Sequence, residues 1–244
     1  LISVEAGIPL LVGIVACAFF IVRQCRLEKP FLDVKILSSR CYAVSVISSM
    51  VLYFVMMGSS VMMPLYVQSV MGYSAVVSGL VTLPGSLATA LVSPFAGKMY
   101  DKMGIRKIFM MGSVALMVSN IGMFFLTLNT PLWVAAVLNV IRNISIGGLM
   151  MPLLTWGTSS VNPQKVADAS SLLTSLRTIA GSMGSAVFVG IMTVVSAGSA
   201  AEYGDKAMIH GMNMSFFWMA FGSLILLLIS VLGTRSSKPA DSIQ

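Results

Sequence analysis

PFAGKMYDKMGIRKIF, Pro94 to Phe109, is the stretch whose reading organises the rest of the chain. Five charged side chains, Lys98, Asp101, Lys102, Arg106 and Lys107, fall within ten residues there, punctuated by Gly97 and Gly104, in a chain that is only 9% charged. Long apolar runs lie on both sides. The stretch therefore reads as a charged loop between two membrane spans. Such a loop fixes sidedness, because short loops rich in Lys and Arg stay on the cytoplasmic face.

Working outward, composition agrees. Of 244 residues 57% are hydrophobic, and mean hydropathy is +0.93. Ordinary soluble domains carry about 25% charged residues; this chain has too little polar surface to cover a water-soluble globule. The predicted class is an all-α polytopic membrane protein embedded in a lipid bilayer. The net charge of +7 is not read as a nucleic-acid footprint, because the basic residues sit in short loops between apolar runs rather than on one face. Cys17, Cys25 and Cys41 are odd in number and have no metal-like spacing, so free thiols are expected. The chain opens Leu1-Ile2-Ser3 without Met or a basic leader. That predicts no signal peptide and a piece of a longer protein.

Seven segments are long and apolar enough to span: Gly7–Val22, Tyr42–Val67, Ala75–Ala96, Ile108–Leu128, Leu132–Thr155, Ala169–Ser196 and Asn213–Gly233. Twelve basic residues fall on one side, namely Arg23, Arg26, Lys29, Lys35 and Arg40, then Lys98, Lys102, Arg106 and Lys107, then Lys165, Arg235 and Lys238. The opposite side has Lys206 alone, beside Glu202 and Asp205. The basic side is predicted to be cytoplasmic, with the first residues outside and the C-terminus inside. Tyr42, Tyr66, Tyr73, Trp133 and Trp156 fall near span ends and are expected at the interface; for Trp156 packing is the competing reading.

Two basic residues lie within spans. Arg142 is ten residues into the fifth, about 15 Å along the helix and so near the midplane. Arg177 is nine residues into the sixth, closer to an end, where snorkelling to the surface competes with a buried role. A cation in hydrocarbon costs at least about 2.5–3.5 kcal/mol, so it is expected to face an aqueous cavity or a partner. Asn139, Asn143 and Ser145 share helical spacing with Arg142 and make a polar sector, read as the wall of a path. The third span carries Ser78, Thr82, Ser86, Thr89 and Ser93, and the sixth Ser171, Ser175, Thr178, Ser182 and Ser185; both stripes are read as interhelical hydrogen bonding. Ala180/Gly184, Gly181/Ser185 and Ala186/Gly190 are small pairs four apart, suited to close helix contact. The fourth and seventh spans are poorer in polar residues and are expected to be peripheral and lipid-facing. Twenty methionines, among them Met56, Met57, Met62, Met63, Met150 and Met151, suit an adaptable binding surface and serve equally as apolar filler.

All eight acidic residues lie in loops or at span ends, and the one histidine, His210, lies in an outer loop. No membrane-embedded base or metal-ligand set exists for hydrolysis. No catalytic residue, metal or cofactor is expected, and any carboxylate coupled to a proton would lie outside these spans.

Several segments then resemble one family. GKMYDKMGIRK is similar to the loop signature of the major facilitator superfamily, with Gly97, Asp101, Lys102, Gly104, Arg106 and Lys107 matching and Ile105 standing where many members have a basic residue. Pro64–Gly85, Glu28–Asp33 and Ser175–Ala186 resemble the fourteen-span drug:proton antiporter branch. Arg142 followed by Gly147 and Gly148 is similar to the superfamily's intramembrane arginine motif, with Ser145 as a departure.

The resemblance implies a linker span and cytoplasmic loop over 1–40, a C-terminal six-helix transport domain over 41–234 made of inverted repeats at about 41–128 and 131–234, and a cytoplasmic tail over 235–244. It implies a plasma-membrane efflux transporter of small amphipathic compounds, proton-coupled, working by alternating access with an N-terminal half. Arg142, Asn139, Asn143 and Arg177 become expected cavity or coupling residues, and the six loop positions a cytoplasmic latch. Import of a metabolite, export of a lipid or siderophore, and a non-transporting membrane interaction subunit are the alternatives.

Overall fold

The structure, a computed structural model, describes residues 34–234 together with Gly13. The first predicted span (Gly13 apart), Cys17, Cys25, Arg23, Arg26, Lys29, the Glu28–Asp33 segment, Arg235 and Lys238 lie outside the described residues. Within them every regular element is helical: α1 Arg40–Leu65, α2 Ala75–Phe124, α3 Leu132–Ser159, α4 Val166–Tyr203 and α5 Ala207–Gly233, with short turns between. All five stretches are long and apolar enough to cross a membrane. The chain is thus an all-α, multi-pass membrane protein.

The opening stretch departs from its expected form. It is helix, not an extended loop. α2 runs 50 residues with one interruption, at Gly104, whose φ of 73° and ψ of 163° are non-helical. Two limbs result, α2a (75–103) and α2b (105–124). Lys, Arg and Met are good helix formers, so the charged residues extend both limbs, and only a conformation reserved for glycine breaks them. Asp101, Lys102, Arg106 and Lys107 are exposed. Ile105 is 5% exposed and packs with Phe109, Leu149, Leu153 and Trp156, which explains the apolar residue at that point of the motif: it anchors the returning limb.

α2 packs chiefly on α3, and α1 on α4; α5 closes the bundle against α2 and α4. Lipid tails are as apolar as leucine, so close packing has to supply the association. The two main crossings use glycine accordingly. A Cβ at Gly184 would meet the Phe54 backbone, its carbonyl carbon at 2.7 Å, and a Cβ at Gly147 would meet the Thr89 backbone oxygen at 3.1 Å. The pairs Ala180/Gly184 and Gly181/Ser185 therefore contribute their glycines to the α1–α4 crossing. The pair Ala186/Gly190 does not, since both residues are exposed and a Cβ at Gly190 meets nothing within 4 Å.

Three aromatic expectations change. Tyr42 and Tyr66 are fully buried; their hydroxyls donate to the carbonyls of Ala169 at 2.6 Å and Thr127 at 3.2 Å. Trp156 is 6% exposed inside an apolar cluster, so packing is its role. Tyr73 and Trp133 are 46% and 67% exposed, as interface rings are.

α2b and α5 do present apolar faces outward, through Met111, Val118 and Ile121 and through Phe217, Phe221 and Leu228. Between them, however, runs a buried polar seam that their average composition hides. Asn120 Nδ2 donates to Ser223 Oγ at 2.8 Å, Asn213 Nδ2 donates to the Leu126 carbonyl at 3.0 Å, and Ser113 and Ser230 are both fully buried.

Candidate functional site

A cavity of about 250 Å³ opens between α1, α2a and α3, and Arg142, Asn139, Asn143, Thr82, Ser86 and Met63 are among its lining residues. α3 supplies the functional face. Arg142 and Asn139 are each 2% exposed. The Arg142 guanidinium donates through Nη2 to Asn139 Oδ1 at 2.5 Å and through Nη1 to Met123 Sδ at 3.1 Å. Its Nε is buried and has no partner. Guanidinium carries five N–H donors and cannot be neutralised in ordinary protein surroundings, and a thioether is a weak acceptor. The buried charge is thus only partly satisfied, and none of the lining residues is acidic.

The network continues across to α2a. Asn143 Nδ2 donates to the Asn139 carbonyl at 2.8 Å. Thr89 Oγ1 lies 3.0 Å from the Asn143 carbonyl and 3.3 Å from its Oδ1, donating to either. Gly85 makes this possible, because a Cβ there would come within 2.6 Å of Asn143 Nδ2 and 2.9 Å of Asn139 Nδ2. Only glycine leaves room for two amides against that helix face.

The structure brings Arg142, Asn139 and Asn143 together. Ser145 is separate. Its hydroxyl donates to the Ile141 carbonyl at 2.8 Å, and it borders an apolar groove with Leu91, Phe95 and Met111. Arg177 does not line the cavity. Its guanidinium stacks 4.7 Å over the Tyr53 ring, and the Tyr53 hydroxyl donates to Met150 Sδ at 3.5 Å. That cation–π contact gives the guanidinium a partner at the ring face, while its buried Nε, like that of Arg142, has no hydrogen-bond partner.

The two hydroxyl stripes differ from their expected reading. On α2a, Thr82 and Ser86 line the cavity while bonding to carbonyls of their own helix, and Thr89 alone reaches another helix. On α4, Thr178, Ser182 and Ser185 all turn back to carbonyls within their helix; Ser171, Ser175, Thr178 and Ser182 are exposed. Sequence reasoning missed Thr82 and Ser86 as cavity residues and Gly85 as the position that makes room for the two amides. The signal was present in the three-to-four spacing of the α2a hydroxyls, which reads equally as interhelical hydrogen bonding.

Gly97, Asp101, Lys102, Gly104, Arg106 and Lys107 cluster at the α2a–α2b break, at the far end of α3 from Trp133 and close to Trp156 through Ile105. None of them is among the residues that line the cavity. Among the described residues no group of three His, Cys, Asp or Glu side chains is placed to hold a metal ion.

A family model described as Major Facilitator Superfamily matches residues 4–185. The uncharacterized MFS-type transporter YcnB of Bacillus subtilis is 28% identical over 234 residues, covering 96% of this chain and 50% of its own length. The lincomycin resistance protein LmrB of Listeria innocua is 30% identical over 202 residues, covering 82% of this chain and 42% of its own length. The riboflavin transporter RibZ of Clostridioides difficile is 26% identical over 242 residues, covering 96% of this chain and 52% of its own length. The chain spans about half the length of these curated relatives. With the family model matched over most of its residues, and with a multi-pass helical bundle built around a buried arginine network, the chain belongs to the Major Facilitator Superfamily of membrane transporters.

Proposed function

We propose that this chain forms the C-terminal half of a plasma-membrane efflux transporter that moves small lipophilic compounds by alternating access, coupled to protons. The observation that carries the reading is the cavity between α1, α2a and α3, walled by Arg142, Asn139 and Asn143 and lined on its apolar side by Met56, Met63 and Ile146. A buried cation beside adaptable thioethers suits a site that must hold varied amphipathic molecules. Resemblance to a lincomycin resistance protein supports the drug-efflux direction.

In this reading the basic end of the bundle faces the cytoplasm. The N-terminal half supplies the opposite cavity wall and the proton-carrying carboxylate, and rocking of the two halves alternates access. The exposed motif at the α2a–α2b break, Asp101 and Arg106 above all, latches that half in one state.

The test is export from cells expressing the complete reading frame that contains this chain. Lincomycin and a lipophilic dye should leave faster than from control cells, and a protonophore should abolish the difference. Riboflavin is the comparison substrate, given the likeness to RibZ. Movement of riboflavin without movement of either drug would replace drug efflux with metabolite transport. A product with no transport of any of them would leave lipid or siderophore export and the interaction-subunit alternative.

A further inference from the structure

The charge of the cavity deepens the efflux reading, and rests on it, by selecting a ligand class. Arg142 is 2% exposed, its Nε has no partner, and it borders open volume. The polar groups beside it, Asn139, Asn143, Thr82 and Ser86, are neutral, and none of the remaining lining residues is acidic. The nearest sulfur acceptor, Met123 Sδ at 3.1 Å, carries no charge to balance it. Arg177, the other cation within the spans, also has a buried Nε without a hydrogen-bond partner, but its guanidinium lies over the Tyr53 ring and it does not line the cavity.

We infer that the cavity takes amphipathic anions, the carboxylate of the ligand accepting hydrogen bonds from the Arg142 guanidinium while its apolar body lies against Met56, Met63 and Ile146. The planar guanidinium fork matches a carboxylate in a way a point cation does not, and charge-assisted hydrogen bonds are the strong ones. Thioether side chains adapt to the shape of an aromatic or alkyl body. A cationic amine gains nothing here: it would face Arg142 without a carboxylate among the lining groups. A neutral amide keeps the hydrogen bonds and loses the charge.

The experiment compares three probes of one shape, 1-naphthoate, 1-naphthamide and 1-naphthylmethylammonium, binding by equilibrium dialysis to the protein purified from its complete reading frame. Naphthoate is expected to bind at least tenfold tighter than naphthamide, with the ammonium weakest. Arg142→Gln should bring naphthoate down to the level of the amide, whereas Arg142→Lys should keep part of the preference. Ser86→Phe, which fills the cavity from α2a and keeps the Arg142 side chain, should lower binding of naphthoate and naphthamide together; it serves where Arg142→Gln fails to fold. Equal binding of naphthoate and naphthamide, tighter binding of the ammonium, no measurable binding of naphthoate, or an anion preference that survives in folded Arg142→Gln would each overturn the inference. The two readings separate in the export assay. Drug export without anion preference leaves efflux standing and removes this site, while anion-selective binding with no export does the reverse.

Discussion

Placing a methyl group at Gly184 tests the geometry on which the bundle rests. The Cβ of Gly184→Ala would point into the Phe54 backbone on α1, meeting its carbonyl carbon at 2.7 Å and its Cα at 2.8 Å, with the carbonyl oxygen nearer still. These are backbone atoms and cannot swing aside. α1 and α4 must part by about 1 Å to restore the 3.5–4.0 Å separation at which dispersion is optimal. Overpacking of this kind costs about 1–3 kcal/mol, and a rigid obstacle puts it at about 3 kcal/mol. Replacing a helical glycine by alanine returns about 1 kcal/mol of helix propensity, so the net loss is about 2 kcal/mol. At about 2–4 °C per kcal/mol for a chain of this size, the thermal midpoint should fall by about 4–8 °C. Gly190→Ala is the internal control. It lies on the same helix with nothing within 4 Å of its Cβ, so it keeps the propensity gain alone and should rise by about 2–4 °C. The assay is thermal unfolding of the purified protein in detergent, followed by intrinsic fluorescence. The propensity term cancels between the two variants, so their difference isolates the crossing. Equal midpoints would refute the argument that α1 and α4 touch through a bare backbone.

Four further outcomes follow from the same structure. Gly104→Ala should lower stability by about 1–3 kcal/mol for conformation alone, since nothing lies within 4 Å of the added Cβ; Gly97→Ala, with equal space and an ordinary backbone, should not, as thermal unfolding will show. Ser223→Ala removes the partner of the buried Asn120 amide and should cost about 0.6 kcal/mol, with about 1.7 kcal/mol as the ceiling in a membrane bundle; adding Asn120→Leu should recover most of it in a double-mutant cycle. Asp101→Asn should slow interconversion of inward- and outward-open states in the complete transporter, and unchanged cysteine accessibility from both sides of the membrane would refute the latch. Arg142→Ala should abolish export while the protein still reaches the membrane, and export at the unmodified rate would end its cavity role.

Period and composition made the spans legible, because each helix must carry about 20 apolar residues whatever it packs against. The same averaging hid what lies between helices. The charged motif looked like a loop because its charges cannot enter hydrocarbon, yet charge says nothing against helix beyond the bilayer, and a single Gly104 torsion makes the turn. α2b and α5 looked wholly lipid-facing because Ser113, Asn120, Ser223 and Ser230 are few among many apolar residues. Tyr42, Tyr66 and Trp156 sit where interfacial rings sit, but burial depends on which neighbour a ring meets, and that is set by tertiary packing. Arg142 with Asn139 and Asn143 was visible because a midplane cation is costly enough to demand company. The part of the site on α2a was not, since Thr82 and Ser86 satisfy their hydroxyls within their own helix and so look no different from packing residues.

The cavity network is also part of what joins α2a to α3. Thr89 reaches the Asn143 carbonyl, Gly85 makes room for the two amides, and Gly147 lies against the Thr89 backbone one turn further along. Removing Arg142 therefore does two things: it deletes the cavity charge, and it frees the Asn139 amide oxygen that Asn143 also uses at 3.1 Å. A lost activity in Arg142→Ala alone mixes these effects. Thr89→Val separates them. It keeps the shape of the side chain, removes the hydroxyl that bridges to α3, and leaves Arg142 and Asn139 paired. If the network acts through its charge, Thr89→Val should lower thermal stability by about 0.6 kcal/mol and leave ligand binding within a few-fold of the unmodified protein. If the network acts by holding the two helices, Thr89→Val should reproduce the binding loss of Arg142→Gln, and the charge argument fails.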